Sequence, residues 1–363
     1  MKWDTIAFSE LVEFPPKVYL EKGELYDNIP MDVVNSGIKY VQEINQRVYT
    51  GGGAKFENGD TIFARITPCL ENGKIAKVKG LDRGVGFGST EFFVFRAKKN
   101  ISDPDFIYYL AKTDLVRQPA IKSMVGASGR QRADKGVVEQ IQVPNIPLPT
   151  QRRIASILSA YDDLIENNLK RIKLLEEKAF LRYKQIVKSE KMISENKLED
   201  IIQTVKRKPK VLKSEYKEAG EFPIIDQSTD FIGGYTNEKE TIYEDLPMIV
   251  FGDHTRVLKY INFPFACGAD GTQLVKPKDE SVCVAYLYFE LISCNLSNYH
   301  YARHFKFLKE QVIKLPSKKV LFEYKEETDK IFNLMQVMRL QNSKLREARD
   351  ILLPRLMNGE IEV

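Results

Sequence analysis

Tryptophan occurs once in the 363 residues, histidine three times and cysteine four times, and these shortages narrow the chemistry at once. Cys69, Cys267, Cys283 and Cys294 have no CxxC spacing, so the thiols read as free rather than as a zinc site or a disulfide framework. His300 and His304 stand four apart, the spacing of a metal pair on a helix, but no acid lies between them and no third ligand is evident. No Walker A lysine occurs, nor the Asn/Asp-Pro-Pro-aromatic signature of amino-methyltransferases. No apolar run approaches the length needed to cross a bilayer, and the opening MKWDTIAFSE has no hydrophobic region of a signal peptide. A cytoplasmic chain with no membrane partner is the expectation. A large charge surplus is missing too: 55 Lys and Arg against 50 Asp and Glu give a net +5, which permits a nucleic-acid partner without demanding one.

What is abundant is helix. After the Pro144-Asn145-Ile146-Pro147-Leu148-Pro149 stretch, neither Pro nor Gly appears until Pro209. Within that span Ile154, Leu158, Tyr161, Ile165, Ile172, Leu175 and Ala179 recur at alternating steps of four and three, with Asn168 in the one polar slot. That spacing keeps one seam facing a partner helix, as in a coiled coil. Thr150 is the expected N-cap. A second seam follows Pro316: Ile331, Leu334, Met338, Leu345, Ala348 and Leu352, with Gln341 in the polar slot. The preludes agree as well, EQIQVP from Glu139 against EQVIKLP from Glu310. The chain is therefore a duplication, each half a globular segment followed by a long helix. The expected segments are 1–149, 150–190, 191–316 and 317–363, and Asn168 is expected to approach Gln341 if the helices run antiparallel.

The globular segments read as mixed strand and helix, each large enough to bury a core. Residues 31–100 alternate in strand fashion, punctuated by Gly51-Gly52-Gly53 and Asn58-Gly59; 103–125 look helical up to Pro119; VGASGRQRADKG is a basic Gly/Ser loop. In the second half, VAYLYFELISCN is a helical stretch. The opening NKLEDIIQTVKR at residue 196 echoes WDTIAFSELVEF near the N-terminus.

Catalytic candidates are sparse. Gly84, Gly86 and Gly88 form GxGxG, but the strand-like STEFFVF follows where a phosphate loop needs a helix N-terminus. Pro104-Asp105 with Glu176-Glu177-Lys178 imitates a nuclease pattern, yet the second part lies inside the long helix, on what should be a solvated face. The polar loops are more informative. Arg65, Thr67, Asn72 and Lys74 cluster in ARITPCLENGK, and Arg130 and Arg132 lie in the later Gly/Ser loop. Gln227, then His254, Thr255 and Arg256 in GDHTR, then Arg303 and Lys306, supply similar residue types in the second half. Such side chains on Gly-bearing loops can read base edges and hold phosphates, although polar loops are common in proteins that do neither.

ARITPCLENGKIA, GVGFGSTEF, PLPTQRRIASILSAYDDLIENNLKRIKLLEE and the ending LREARDILLPRLMNGEIEV together resemble the specificity subunits of type I restriction–modification systems. GGYTN followed by FGDHT resembles another variety of that family's recognition domain. One departure is that the family's usual Glu/Glu-Gln approach to the first helix is reduced to Thr150-Gln151. The resemblance implies an α+β fold in which two globular target-recognition domains are separated by two long antiparallel coiled-coil helices, with pseudo-two-fold symmetry. It implies a non-catalytic, cytoplasmic subunit that binds a bipartite, asymmetric site on double-stranded DNA, with Ser89 and Thr90 joining the candidate contacts. It also implies docking of two methyltransferase subunits and of restriction/translocase subunits. No cofactor is then bound by this chain, S-adenosylmethionine, ATP and Mg²⁺ belonging to those partners. A stand-alone nuclease or methyltransferase, or a coiled-coil scaffold binding proteins, are the alternatives.

Overall fold

Two helices dominate the computed structural model, which describes residues 3–268, 271–294 and 304–363. The first runs Leu148–Ser189, 42 residues, and the second Lys318–Met357, 40 residues. Each is about 60 Å long at 1.5 Å per residue. Because the first begins at Leu148, Thr150 lies inside its first turn and is not the cap the sequence suggested. Gln151 anchors that end instead. Its buried amide accepts the Asp103 N–H at 2.9 Å and donates to the carbonyls of Ile146 at 2.8 Å and Ile101 at 3.1 Å. A buried amide is thereby satisfied on both sides.

The chain divides into two units, residues 1–169 with 340–363, and residues 170–339, so each long helix contributes one half to each unit. In the first unit a sheet of order Val12–Glu13, Phe92–Ala97, Thr61–Ala64, Ile75–Lys77 is antiparallel throughout. A second sheet has the order Asn45–Val48, Leu25–Ile29, Val85–Gly88, Ala54–Glu57, its middle pair parallel. The GxGxG is thus mostly strand. A Cβ on Gly86 or Gly88 would lie 2.8 Å from the Asp27 carbonyl or 2.3 Å from the Ile29 carbonyl, so these glycines let neighbouring strands and the Phe56 ring close up. Thr5–Ala7 pairs with Gln142–Pro144, just before the long helix.

Asp103 caps the helix Pro104–Lys112, its carboxylate accepting from the Asp105 and Phe106 amides at 2.9 and 3.0 Å. This helix ends at Thr113, where the sequence suggested continuation to Pro119; a separate helix, Asp114–Lys122, carries Pro119 inside it. Phe106 to Ala111 pack with Ile154, Ala155 and Leu158 of the first long helix and with Leu353, Leu356 and Met357 of the second. The pairings Asp162 with Arg349 and Asn168 with Asn342 show that the two helices run antiparallel here.

The second unit repeats this plan in different residues. Its sheets have the orders Gly234–Thr236, Phe222–Ile225, Phe265–Cys267, Ile242–Tyr243 and Leu258–Ile261, Met248–Gly252, Thr272–Val275. Again one pair, Phe222–Ile225 with Phe265–Cys267, is parallel. Ser194–Lys197 pairs with Val312–Leu315, as Thr5–Ala7 does with Gln142–Pro144. Val284–Ser293 takes the place of Pro104–Lys112 and packs on Ala179, Tyr183 and Ile186 and on Leu321, Tyr324, Ile331 and Met335. The helices are antiparallel here too: Glu176 lies beside Arg339, whereas Arg182, further along the first helix, meets Glu327 at 3.4 Å.

The seam of the first helix holds Ile154, Leu158, Ile165, Asn168 and Ala179 buried, with Tyr161, Ile172 and Leu175 half-buried. On the second helix the expected seam needs correction. Leu334 is 41% exposed, Gln341 is exposed and Ala348 only half-buried, whereas Met335, Asn342 and Arg349 are buried. The buried series Leu321, Tyr324, Thr328, Ile331, Met335, Met338, Asn342 alternates three and four in the order opposite to the one assumed. Both orders contain apolar residues, and buried Arg349 breaks the apolar pattern because Asp162 pairs with it. Asn168 Nδ2 accordingly meets Asn342 Oδ1 at 3.0 Å and Gln341 Oε1 at 3.4 Å.

Candidate nucleic-acid interface

The candidate loop of the first unit joins Thr61–Ala64 to Ile75–Lys77. Arg65, its first residue, is held through its backbone, the N–H donating to the Glu91 carbonyl at 2.9 Å and the carbonyl accepting from Ala133 at 2.8 Å. Its side chain and that of Arg132 both reach Glu91. Arg132 donates to the Glu91 carboxylate at 2.7 and 2.9 Å and Arg65 Nε donates to it at 3.3 Å, while the Arg65 guanidinium carbon lies 5.4 Å from the centroid of the Phe93 ring. Arg132's hydrogen bonds, with help from Arg65, hold the Glu91 carboxyl below the usual carboxylate range. Asn72, Thr90 and Arg130 are exposed, Arg130 in the loop that the Val125–Arg132 bridge closes. Ser89 is half-buried and accepts the Glu91 N–H at 3.2 Å.

Two candidates are internal. Thr67 is buried and its hydroxyl accepts the Gln131 N–H at 3.0 Å, while Lys74 donates to the Met31 carbonyl at 2.9 Å. Both side chains are engaged in holding the loop.

Beside the loop lies a groove that sequence reading missed. Its walls include Lys17, Tyr19, Lys55, Arg65 and Lys135, its floor Gly53 and Phe92 to Val94. Across Gly53 it adjoins a second cleft bearing Asn28, Arg47, Thr50, Ser89 and Thr90. Neither lining contains an Asp or Glu. Aromatic faces carry the cations, Lys135 over Phe14 at 5.4 Å and Lys55 over Tyr49 at 5.5 Å. Lys135 also has a half-buried partner, Glu139, at 3.2 Å. Tyr19 is 88% exposed at the rim. Gly51, Gly52 and Gly53 all have φ between 75° and 109°, and a Cβ on Gly53 would meet the Gly88 carbonyl at 2.6 Å. Gly51 to Gly53 therefore leave this part of the groove free of side chains, where another backbone could approach closely.

In the second unit the corresponding loop joins Met248–Gly252 to Leu258–Ile261. The correspondence extends to a hydrogen bond: Asp253 N–H donates to the Gly271 carbonyl at 2.6 Å, as Arg65 does to Glu91. Gln227 braces the loop, its side chain accepting the His254 N–H at 3.3 Å and its carbonyl accepting the Thr255 hydroxyl at 2.6 Å. His254, Thr255 and Arg256 are exposed at the tip, Arg256 with φ 62°. Asp253 is buried and accepts the His304 and Phe305 amides, at 3.1 and 2.8 Å, which fixes the helix His304–Lys309 carrying exposed Lys306. Arg303 and His300 lie outside the described residues. Arg207 was also missed. It donates to the Thr272 carbonyl at 3.1 Å and to Gln273 at 2.6 Å, and the basic run VKRKPK was its signal.

Among the described residues no group of three or more His, Cys, Asp or Glu could hold a metal ion, and no helix is long and apolar enough to cross a membrane. Asp105, from the nuclease-like pattern, is occupied by Lys39 at 2.8 Å and Lys77 at 2.5 Å.

Residues 1–177 match the family model described as type I restriction modification DNA specificity domain. The chain thus carries, over just under half of its length, a type I restriction modification DNA specificity domain. It is 28% identical over 175 residues to the EcoAI specificity subunit of Escherichia coli, an alignment covering 46% of this chain and 30% of that protein. This chain thus spans less than a third of that relative's length. It is 24% identical over 301 residues to the MjaIX specificity subunit of Methanocaldococcus jannaschii, covering 71% and 69%. A crystal structure of a type I restriction–modification S subunit from M. genitalium superposes with a TM-score of 0.53 at 16% identity, over 98% of this chain and 96% of that one. That likeness is one of fold. The two candidate loops occupy the same place between corresponding strands while sharing almost no sequence.

Proposed function

We propose that this chain is the non-catalytic DNA-recognition subunit of a type I restriction–modification complex. Each unit reads one half of a bipartite, asymmetric site, and the chain docks methyltransferase subunits and, where present, restriction/translocase subunits. S-adenosylmethionine, ATP and Mg²⁺ would be held by those partners. The observation that carries this reading is the paired placement of two unlike polar loops, 65–74 and 253–257, after the same strand of a repeated fold. A repeated scaffold with different tips is what reading two different half-sites from one chain requires. The cation-lined groove beside the first loop supplies the sequence-independent attraction to phosphates that base readout needs beside it. In this reading Asn72, Thr90, Arg130 and Arg132 face one half-site, and His254, Thr255, Arg256 and Lys306 the other.

The test is assembly with the methyltransferase subunit of its own host, followed by sequencing of modified bases on a plasmid library. A modified site with two separated halves is expected, and exchanging 191–316 for the same segment of a relative should change one half only. Modification at a continuous site, or by the chain alone with S-adenosylmethionine, would overturn the reading.

A further inference from the structure

In the first unit, a run of buried and half-buried polar groups joins the sheet that bears the candidate loop to both long helices. It starts at Lys77, on the strand that leaves the reading loop, whose Nζ meets Asp105 at 2.5 Å. Asp105 accepts Lys39 at 2.8 Å, and Lys39 donates to Ser159 of the first long helix, also at 2.8 Å. Tyr109 lies 3.5 Å from Ser159 and donates to Asp162 at 2.5 Å; Asp162 accepts Arg349 of the second long helix at 2.5 Å. Arg349, Lys39 and Asp162 are each 2% exposed. In the second unit the comparable contacts are tyrosine hydroxyls on carboxylates, Tyr183 to Glu290 and Tyr288 to Glu176, both at 2.9 Å.

Ions taken out of water are a poor way to add stability, since apolar residues of the same volume serve as well or better. What ion pairs and hydrogen bonds supply, and apolar packing does not, is direction. The surrounding contacts of Phe106, Ile107 and Leu110 with Leu158, Leu353 and Leu356 tolerate small rotations, whereas a buried Arg–Asp–Tyr arrangement has one satisfied geometry.

We propose that Asp162, Arg349, Tyr109 and Lys39 are positioning residues that fix the angle of the first reading sheet on its helices, and through it the half-site spacing the subunit accepts. This rests on the DNA-reading function proposed above. The variant to make is Asp162→Leu/Arg349→Met/Tyr109→Phe, which removes the charges and the hydroxyl together and leaves no orphaned partner among the three. Two readouts separate this idea from that reading. The first needs no DNA: spin labels on Asn72→Cys and Asp163→Cys, with Cys69 and Cys294 replaced by serine, report the distance from loop to helix. Its distribution should at least double in width in the triple variant. The second uses the complex with methyltransferase subunits and DNA whose spacer is one or two base pairs shorter or longer than preferred. Discrimination against wrong spacers should fall tenfold or more, with mismatch discrimination inside each half-site unchanged. The conservative pair Asp162→Asn/Arg349→Gln, which keeps hydrogen bonds without charge, should restore part of both and serves if the triple variant does not fold. An unchanged label distribution overturns the positioning role. A wider distribution with an unchanged spacer profile overturns the link to spacing. If the unaltered complex selects no bipartite DNA at all, the DNA-reading function fails instead.

Discussion

Replacing Asn342 by alanine should cost the chain far more than replacing its neighbour Gln341, although heptad reading put Gln341 in the seam. Asn342 is 2% exposed; its Oδ1 accepts from Asn168 at 3.0 Å and its Nδ2 donates to the Ile165 carbonyl at 3.5 Å. Alanine removes one good hydrogen bond and one long one, about 1 kcal/mol and less. It also leaves the buried Asn168 amide only the 3.4 Å contact to Gln341, a penalty on the order of 1–3 kcal/mol. The sum is about 2–4 kcal/mol, or a lowering of the unfolding midpoint by roughly 4–16 °C for a unit near 200 residues. Gln341 is exposed, and its replacement by alanine should stay within about 0.5 kcal/mol. The pair Asn168→Leu/Asn342→Leu removes both polar ends and buries two large side chains, so it should recover the loss and add stability, roughly 1.5–3 kcal/mol per leucine before packing costs. Thermal and urea unfolding of the four proteins decide the matter. Equal losses at Gln341 and Asn342, or a leucine pair less stable than Asn342→Ala, would refute the assignment of the polar slot.

Further outcomes are expected. Asn72→Ala and Arg130→Ala should weaken one half-site by about 1–3 kcal/mol per lost base contact, His254→Ala and Arg256→Ala the other, while Thr67→Ala should lower stability without relaxing either; competition binding with mismatched half-sites tells these apart. Lys17→Gln and Lys55→Gln should each reduce the slope of log affinity against log salt by about 0.9, leaving the preferred sequence unchanged, as titrations at several ionic strengths will show. Asp105 has burial raising its pKa, but Lys39 and Lys77 outweigh this and hold it below the usual range. Its stabilisation is therefore complete above about pH 4 and disappears as pH falls through the depressed folded value. Melting curves from pH 7 to pH 3 should fall less steeply for Asp105→Asn than for the parent protein.

Much of this architecture was legible because helices announce themselves locally. The long span without Pro or Gly, the 4,3 spacing and the matched preludes needed no tertiary information. The second seam was misassigned where tertiary information decides: Leu334 and Met335 are both apolar, and only packing says which faces inward. Arg349 could not be placed inside from sequence, since its burial depends on Asp162 almost two hundred positions away. The candidate loops were visible as polar residues among glycines, but not the division of labour within them. Thr67 and Lys74 have the same chemistry as residues that face solvent, and only their partners, Gln131 and Met31, reveal them as braces. The groove was invisible for a different reason: Lys17, Gly53, Arg65 and Lys135 lie in four separate stretches, and no local pattern links them.

The strand pair that closes the second unit has a mechanical consequence. The first long helix ends at Ser189 and the chain then runs into Ser194–Lys197; Val312–Leu315 leads back out to the second helix at Lys318. Ser194 sits opposite Leu315, and the Ile193 N–H donates to the Leu315 carbonyl at 2.9 Å. Both helices therefore pull on the same end of an antiparallel ladder, whose bonds lie across the strands. Tension drawn along the chain meets these bonds one at a time, as a zipper does, and never loads them together in shear. The ladder is consequently weak under load: a force separating the helix ends should peel Ser194 from Leu315 first.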